Sequence, residues 1–470
     1  MRKTKIVCTI GPSSNSPEML KALIKSGMNV ARLNMSHATR EENREVFKRI
    51  IKAREELNTP LAIMLDTKGP EIRIGAFSTG EAILKKGQKF VLNTKACEGT
   101  NEQVFVNYAG LIKDVKSGDK ILIDDGLIEL KVVKTSDTEI ETKVVSGGKL
   151  TNRKSVFVPN VKLNMPFLTP ADKEDLKMVA DFNLEFVAAS FVSKKEDAIE
   201  LRKYLNKLGA VNTEIIAKIE SVEGVKNVNE IADVVDGIMV ARGDLGVEVS
   251  QEKLPAIQNN IISAALNKGK LLIMATEMLE SMTFNIRPTR AEVADVANAV
   301  FLKCGAVMLS GETAVGIHPT RVVETMAKIC VEAENSINFR REFNLTPYQF
   351  SGVTSAIAHS AVRCAFDLNS KAICAFTLSG KTAKLVSAFK PQASIVGLTT
   401  CPFTYNQLAF YFGVQPALVN KVTATDELFN IGKNYVIQNK LVKSGETIVV
   451  VAGAPAGKEG QTNILKVDKI

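Results

Sequence analysis

Eight short apolar runs, each closing on a polar or charged cluster, constrain the fold of this chain more than any other feature. They are Lys5 to Ile10, Asn29 to Leu33, Leu61 to Leu65, Glu185 to Ser190, Glu214 to Ile219, Asp236 to Ala241, Lys270 to Ala275 and Ala306 to Leu309. Between most of them lie segments of helical periodicity, such as Pro17 to Ser26, Arg40 to Leu57, Lys194 to Leu208 and Leu254 to Lys268. Repeats of about 20 to 35 residues read as βα units, and eight such units close a TIM (β/α)8 barrel.

The rhythm breaks between Gly69 and Pro166. There EAILKKGQKFVLNT, DKILIDDGLIELKVVKTS and TEIETKVVSGGKL alternate apolar and polar residues between Gly and Asp turns. This predicts a small antiparallel β domain inserted after the third barrel strand. A new rhythm begins after Phe339: a helix from Thr354 to Leu368, a strand from Lys371 to Thr377, the loop LSGKTA and a helix to Phe389. Strands at Ser394 to Leu398, Pro416 to Val419, Thr447 to Ala452 and Ile464 to Val467 complete an α/β domain. The linker FNLTPYQFSG carries the Pro and Gly of a boundary. The expected division is a barrel over 1–69 and 168–340, an inserted domain over 70–167, and a C-terminal α/β domain over 341–470.

Composition narrows the function. With 45% hydrophobic and 24% charged residues, the 470-residue chain is neither disordered nor disulfide-stapled. No apolar window approaches the roughly 20 residues of a membrane span, and MRKTKIVCTIGP lacks the apolar core of a secretory signal. Seven scattered Cys without a CxxC predict reduced thiols and a cytoplasmic location. Three His residues, far apart, leave little scope for poly-His metal sites or Ser-His-Asp chemistry. The net charge of +9 comes from 60 basic residues spread among 51 acids, with no Trp. A nucleic-acid binder would concentrate cations and interleave aromatics, so an anionic small molecule is the better partner.

In a barrel the chemistry sits at the C-terminal strand ends. Here those ends carry Arg32, Asn34 and Ser36; Asp66, Thr67 and Lys68; Lys218 and Glu220; Arg242 and Asp244; Thr276 and Glu277; Ser310 and Glu312. In IIAKIESVEG, Ile216, Lys218 and Glu220 alternate and share one face of a strand. A charge pointing into a barrel is costly unless paired or ligating. Lys218 suits a phosphate or enolate oxygen and Glu220 suits magnesium. In IMVARGDLGVEV, Gly243 and Gly246 allow close backbone approach, and Asp244 offers the same metal a second carboxylate. A plain ion pair with an Asp turn cap also fits these two segments in isolation, but not the other strand ends. Asn34, Ser36, Asp66 and Thr67 form an all-oxygen set suited to a hard cation. In TLSGKT, Thr377, Ser379, Gly380, Lys381 and Thr382 stand where a strand turns into a helix. They read either as a phosphate cradle or as an ordinary turn.

NVARLNMSHA, LDTKGPEIR, DDGLIEL, KIESVEGV, MVARGDLGVE, ATEMLESM, RPTRAEVADVANAV and MLSGETAVG occur in this order. The series resembles the pyruvate kinase family over essentially the whole chain. The resemblance implies phosphoryl transfer from phosphoenolpyruvate to ADP, giving pyruvate and ATP in glycolysis, with Mg2+ (or Mn2+) and K+ as cofactors. It implies that Arg32 holds the substrate phosphate and that Lys218 stabilises the transferring phosphoryl group and the enolate. Glu220 and Asp244 would ligate magnesium. Asn34, Ser36, Asp66 and the Thr67 carbonyl would bind potassium. Gly243, Asp244 and Thr276 would hold the substrate carboxylate, and Thr276 with Ser310 would relay the proton. Arg73 and Lys154 would meet the nucleotide phosphates beside Asn34, Ser36 and His37. Family members are usually homotetramers, and the 377–382 loop would take a sugar phosphate or nucleotide effector, with Lys458 on its other lip.

Some positions depart from the family pattern. Glu277 stands for the usual Gln, FLKCG (301–305) for an LDGTD-like turn, Val315 for Lys and Ala38 for Gly. Glu71 stands where potassium-independent members tend to carry Lys, so potassium dependence is expected. Two rival readings are a magnesium-dependent enolate lyase or aldolase and a non-catalytic sensor on the same fold. The first needs no inserted domain, and the second needs no intact set of Arg32, Lys218, Glu220, Asp244 and Thr276.

Overall fold

Eight parallel strands pair edge to edge into a closed barrel: Lys5–Thr9, Val30–Asn34, Ala62–Asp66, Phe186–Ala189, Glu214–Ile219, Gly237–Ala241, Leu271–Ala275 and Ala306–Leu309, the last returning to the first. The computed structural model describes residues 2–346, 348, 352–421, 425–453 and 462–470. Each strand is buried on both faces, which is why the sequence shows nearly unbroken apolar runs. In the fifth strand Ile215, Ala217 and Ile219 pack towards the surrounding helices. Ile216 instead joins Met64, Ala188, Met239 and Ile273 inside the barrel.

Local chemistry sets where the helices begin. Ser16 caps Pro17–Ser26 by accepting the Met19 amide, while Thr39 with Glu42 and Thr289 with Glu292 form reciprocal capping boxes. The strands begin after Asn29 and Asp236 because these side chains are used as acceptors. Asn29 takes the Ile6 amide at 3.0 Å and Asp236 the Ile215 amide at 2.9 Å.

The insertion between the third and fourth barrel strands folds around its own core of Phe90, Leu92, Val104, Leu130 and Val144. It contains a seven-stranded sheet and a two-stranded ribbon. Its strands pair antiparallel except Lys89–Asn93 against Gln103–Phe105, which run parallel, and the isolated bridge between Phe77 and Gly99 is parallel too. The tip Asp124-Asp125-Gly126 has positive φ throughout (57°, 52° and 88°), a turn that Asp tolerates and Gly favours. A Cβ on Gly126 would lie 3.8 Å from Val247 Cγ1, so this tip reaches the barrel helix Arg242–Glu248.

The C-terminal domain is a five-stranded sheet in the order Val414–Leu418, Ser394–Thr399, Ala372–Phe376, Thr447–Ala452, Ile464–Lys469, with only the last strand antiparallel. It closes the floor of the barrel. Phe410, Tyr411 and Phe412 share one core with the barrel interior, and the Phe410 ring meets Phe186 edge-on at 4.9 Å. Lys5 Nζ donates to the Val414 carbonyl at 2.7 Å, and Glu334 accepts the Lys3 and Thr4 amides at 2.8 and 2.6 Å. Among the described residues no helix is long and apolar enough to cross a membrane.

Candidate active site

The two-residue strand period aims Arg32, Asp66, Ser190 and Lys218 from four neighbouring strands into one mouth, each continuing an inward row that begins in the barrel core. Asp66 is fully buried and central. Its Oδ2 accepts Arg32 Nε at 2.6 Å, and its Oδ1 accepts Lys218 Nζ at 3.1 Å and the Ser190 hydroxyl at 3.3 Å. Arg32 Nη1 donates to Thr9 Oγ1 at 2.7 Å. Lys218 Nζ donates to Ser190 Oγ at 2.8 Å and lies 2.9 Å from Glu220 Oε1. The Ser190 hydroxyl also donates to the Thr67 carbonyl at 2.7 Å. Sequence reading missed Ser190 and Thr9. Their signal was parity, since each stands two residues beyond an inward-facing apolar residue.

Charges this deep survive only when paired. Burial would raise the Asp66 carboxyl, but Arg32 and Lys218 outweigh it and hold the group below the usual carboxylate range. For Lys218 burial is opposed by Asp66 and Glu220, which keep the ammonium above its usual value. Glu220 and Asp244 behave differently. Burial pushes both carboxyls up, and Asp244 adds to the rise at Glu220, while Lys218 opposes the rise at both only in part. Glu71 and Asp125 of the inserted domain add further negative charge near Asp244.

Glu220 Oε2 accepts the Phe191 amide at 2.7 Å, whereas Oε1 is buried and lacks a hydrogen-bond partner. Its 2.9 Å approach to Lys218 is therefore an electrostatic contact off the hydrogen-bonding direction. A buried, undonated carboxylate oxygen beside a second raised carboxyl is a donor set that fits a hard divalent cation. No group of three or more His, Cys, Asp or Glu among the described residues forms a metal centre. The protein would thus offer two carboxylates and leave the remaining positions to substrate and water.

Across the mouth, Thr276 and Glu277 both have positive φ, 68° and 54°. A β-branched residue there is strained and needs holding. Thr276 Oγ1 accepts the Gly243 amide at 2.9 Å and donates to the Ala275 carbonyl at 2.6 Å, and Arg242 Nη2 takes the Thr276 carbonyl at 2.6 Å. Arg242 also pairs with Asp295 at 2.6 Å, so this strand-end cation is taken up in bracing the turn. Glu312 is likewise structural: fully buried, it accepts the Leu279 and Ser310 amides at 3.1 and 2.6 Å and stitches the last two strand ends together.

On the side of the inserted domain, Asn34 Oδ1 accepts the Ser36 amide at 3.0 Å. Partial burial and the charge of Arg73 lower the His37 imidazole. Arg73 donates to Glu71 at 2.7 Å and to the Arg153 carbonyl at 3.0 Å, and Lys154 pairs with Asp124 at 2.7 Å. In the C-terminal domain Gly380 opens the helix Lys381–Ala388 in the left-handed region, with φ of 85°. Ser379 and Lys381 are exposed, whereas the Thr382 hydroxyl is buried against Thr462 Oγ1 at 2.6 Å. Lys458 lies outside the described residues.

A family model for the pyruvate kinase barrel domain matches residues 1–323, and one for the pyruvate kinase alpha/beta domain matches 355–468. The chain belongs to the pyruvate kinase family. A pyruvate kinase of Geobacillus stearothermophilus is 44% identical over 472 residues, spanning 100% of this chain and 80% of the relative. One of Sporosarcina psychrophila is 42% identical over 473 residues, spanning 100% of this chain and 81% of the relative. The crystal structure of a pyruvate kinase from Cryptosporidium parvum superposes with a TM-score of 0.93 at 36% identity, covering 100% of this chain and 96% of that one. The barrel, the insertion and the C-terminal sheet are thus the pyruvate kinase fold.

Proposed function

We propose that this chain transfers the phosphoryl group of phosphoenolpyruvate to ADP at the barrel mouth, giving pyruvate and ATP. The observation that carries this reading is the convergence of Arg32 and Lys218 on the buried Asp66 carboxylate, with Glu220 against Lys218 and Asp244 beside them. Phosphoryl transfer asks little covalent help of a protein. It asks for alignment and for neutralisation of several negative charges.

Asp66 orients Arg32 and Lys218, so both cations stand fixed before an anion arrives. Arg32 binds the substrate phosphate, and Lys218 stabilises the charge on the transferring group and on the enolate left behind. Glu220 and Asp244 would hold Mg2+ (or Mn2+), which when bound supplies charge neutralisation and Lewis-acid polarisation. The Gly243 turn and Thr276 receive the substrate carboxylate, and Thr276 with Ser310 conducts a proton from water to the enolate carbon. Asn34, Ser36, Asp66 and the Thr67 carbonyl are an oxygen-only set suited to K+. Arg73 and Lys154 meet the nucleotide phosphates beside His37, which requires their present partners Glu71 and Asp124 to yield. Exposed Ser379 and Lys381 offer a phosphate effector a foothold at the C-terminal domain. Exposed Phe284, Ile286, Val315 and Ile317, gathered around the Ile317–Thr283 bond, support a subunit contact within a homotetramer. Seven free cysteines support a cytoplasmic location.

A lactate dehydrogenase-coupled assay tests the reading. Pyruvate release must require ADP, a divalent cation and phosphoenolpyruvate together. Release without ADP would point to a lyase, and no release at all to a sensor.

A further inference from the structure

A cavity of about 330 Å³, within the usual range of small-molecule sites, lies where the barrel meets the C-terminal domain. Phe339 and Phe343 of the helix Phe339–Leu345 line it together with Phe389 and Phe412 of the C-terminal domain. The rings meet in pairs: the centroids of Phe339 and Phe412 are 6.3 Å apart, as are those of Phe343 and Phe389. Such a lining suits a flat apolar guest.

Lys390 also lines the cavity, and its backbone has a left-handed φ of 50° that side chains seldom adopt. Its Nζ lies 4.1 Å from the centre of the Phe412 ring, and a Cβ on Gly305 would fall 3.3 Å from Nζ. An aromatic face and bare backbone thus flank the amine. Among the described residues Nζ has no hydrogen-bond acceptor and no ion pair. The other lysine of the cavity is already engaged: Lys303 pairs with Glu342 at 2.9 Å and donates to Thr346 Oγ1 at 2.8 Å. Burial, helped by the charge of Lys303, lowers the Lys390 ammonium to about 7 against the opposing pull of Cys304 and Glu334. Near neutral pH much of Lys390 is therefore free amine, whereas an ordinary lysine is deprotonated about once in a few thousand. A desolvated lysine beside a second cation is the setting in which amines attack carbonyls. At the rim stands exposed Arg341, without an ion pair among the described residues.

We propose that Lys390 is the nucleophile of a second ligand site, which takes an aldehyde with a flat apolar body and an anionic group and holds it as a reversible imine. The ring packs among the four phenylalanines and the anion meets Arg341. The Nζ lone pair bonds to the carbonyl carbon, a proton passes from nitrogen to oxygen, and the hydroxyl leaves as water, so that C=N replaces C=O. An anion set directly against Nζ would need the ammonium, which this setting disfavours. The site is independent of phosphoryl transfer at the barrel mouth.

The test incubates the full-length protein with equimolar pyridoxal phosphate near neutral pH, reduces the imine with cyanoborohydride and maps the label by peptide mass spectrometry. Lys390 should carry at least about tenfold more label than any other lysine. Its labelling should level off above pH about 7, while surface lysines keep gaining reactivity towards about 10. Lys390→Met should lose the label from that peptide, and Lys390→Arg takes its place should the first variant fail to fold. Arg341→Gln should weaken half-saturation by pyridoxal phosphate about tenfold, and by uncharged benzaldehyde less than about twofold. Label spread evenly over surface lysines, or gathered at Lys218, overturns the proposal. So does an adduct at Lys390 that forms equally well in Arg341→Gln, because the ligand class then loses its anion.

Discussion

Lys218 and Glu220 stand two residues apart on one strand and finish side by side, Nζ 2.9 Å from Oε1, yet the carboxylate oxygen receives no hydrogen bond. The pair is close enough to neutralise charge and too poorly aligned to satisfy it. Each partner therefore retains capacity for an incoming group.

Replacing Lys218 with Met removes the ammonium that the proposed function sets against the transferring group. The turnover number should fall by about three orders of magnitude, with a smaller effect on half-saturation, because the lost interaction matters most in the transition state. The coupled assay measures both. A loss below about tenfold would show that Lys218 only balances Asp66.

Glu220→Gln keeps the shape of the side chain and removes its charge. Mn2+ binding, followed by electron paramagnetic resonance, should weaken by about 100-fold while Tm falls, since the buried Lys218 ammonium loses one of its two carboxylate partners. Unchanged Mn2+ affinity would place the metal elsewhere.

Glu71 pairs with Arg73 beside the mouth, so its position carries a carboxylate and no ammonium. Exchanging K+ for tetramethylammonium should slow turnover by at least about tenfold, and Glu71→Lys should make the enzyme indifferent to the exchange. Equal rates for the wild type in both salts would dispose of potassium dependence.

Ala38 occupies the left-handed region, with φ of 64°, a conformation that favours Gly. Ala38→Gly should stabilise the fold by about 1 kcal/mol, read as a higher midpoint in urea. A lower midpoint would mean that chain entropy outweighs relief of strain.

Lys390 sits over the Phe412 ring at 4.1 Å, and burial lowers its ammonium from 10.5 to about 7. Between these values the unfolded chain holds a proton that the folded chain has released, so this residue makes stability rise with pH from about 7 towards 10 and level off below 7. Lys390→Met should flatten that rise and add about 1–3 kcal/mol near neutrality. Urea midpoints across the pH range measure both effects. An unchanged slope would mean that the rise belongs to other groups, such as Lys5.

Much of this architecture was legible because its causes are local. Strand period two predicts that Lys218 and Glu220 share a face, and the barrel rule then predicts which end of the strand matters. The eight barrel strands fall within a residue or two of their expected bounds because burial on both faces leaves continuous apolar runs. What escaped notice depends on partners distant in sequence. Ser190 looks like a turn residue until Asp66, Thr67 and Lys218 surround it. Arg242 looks like a ligand until Asp295 and the Thr276 carbonyl claim it. The parallel pairing of Lys89–Asn93 with Gln103–Phe105 was invisible because alternation gives a strand's faces but not its neighbour's direction. Tyr411 and Glu214 are 197 residues apart, and neither advertises the other.

The aromatic stopper formed by Phe410 and its neighbours has a further bearing on how the chain is handled. A fragment ending before the C-terminal sheet would uncork the barrel from below, wetting Phe186 and the apolar lining above it. Such a fragment should be prone to clumping, and the two halves should melt together in a calorimeter as a single transition.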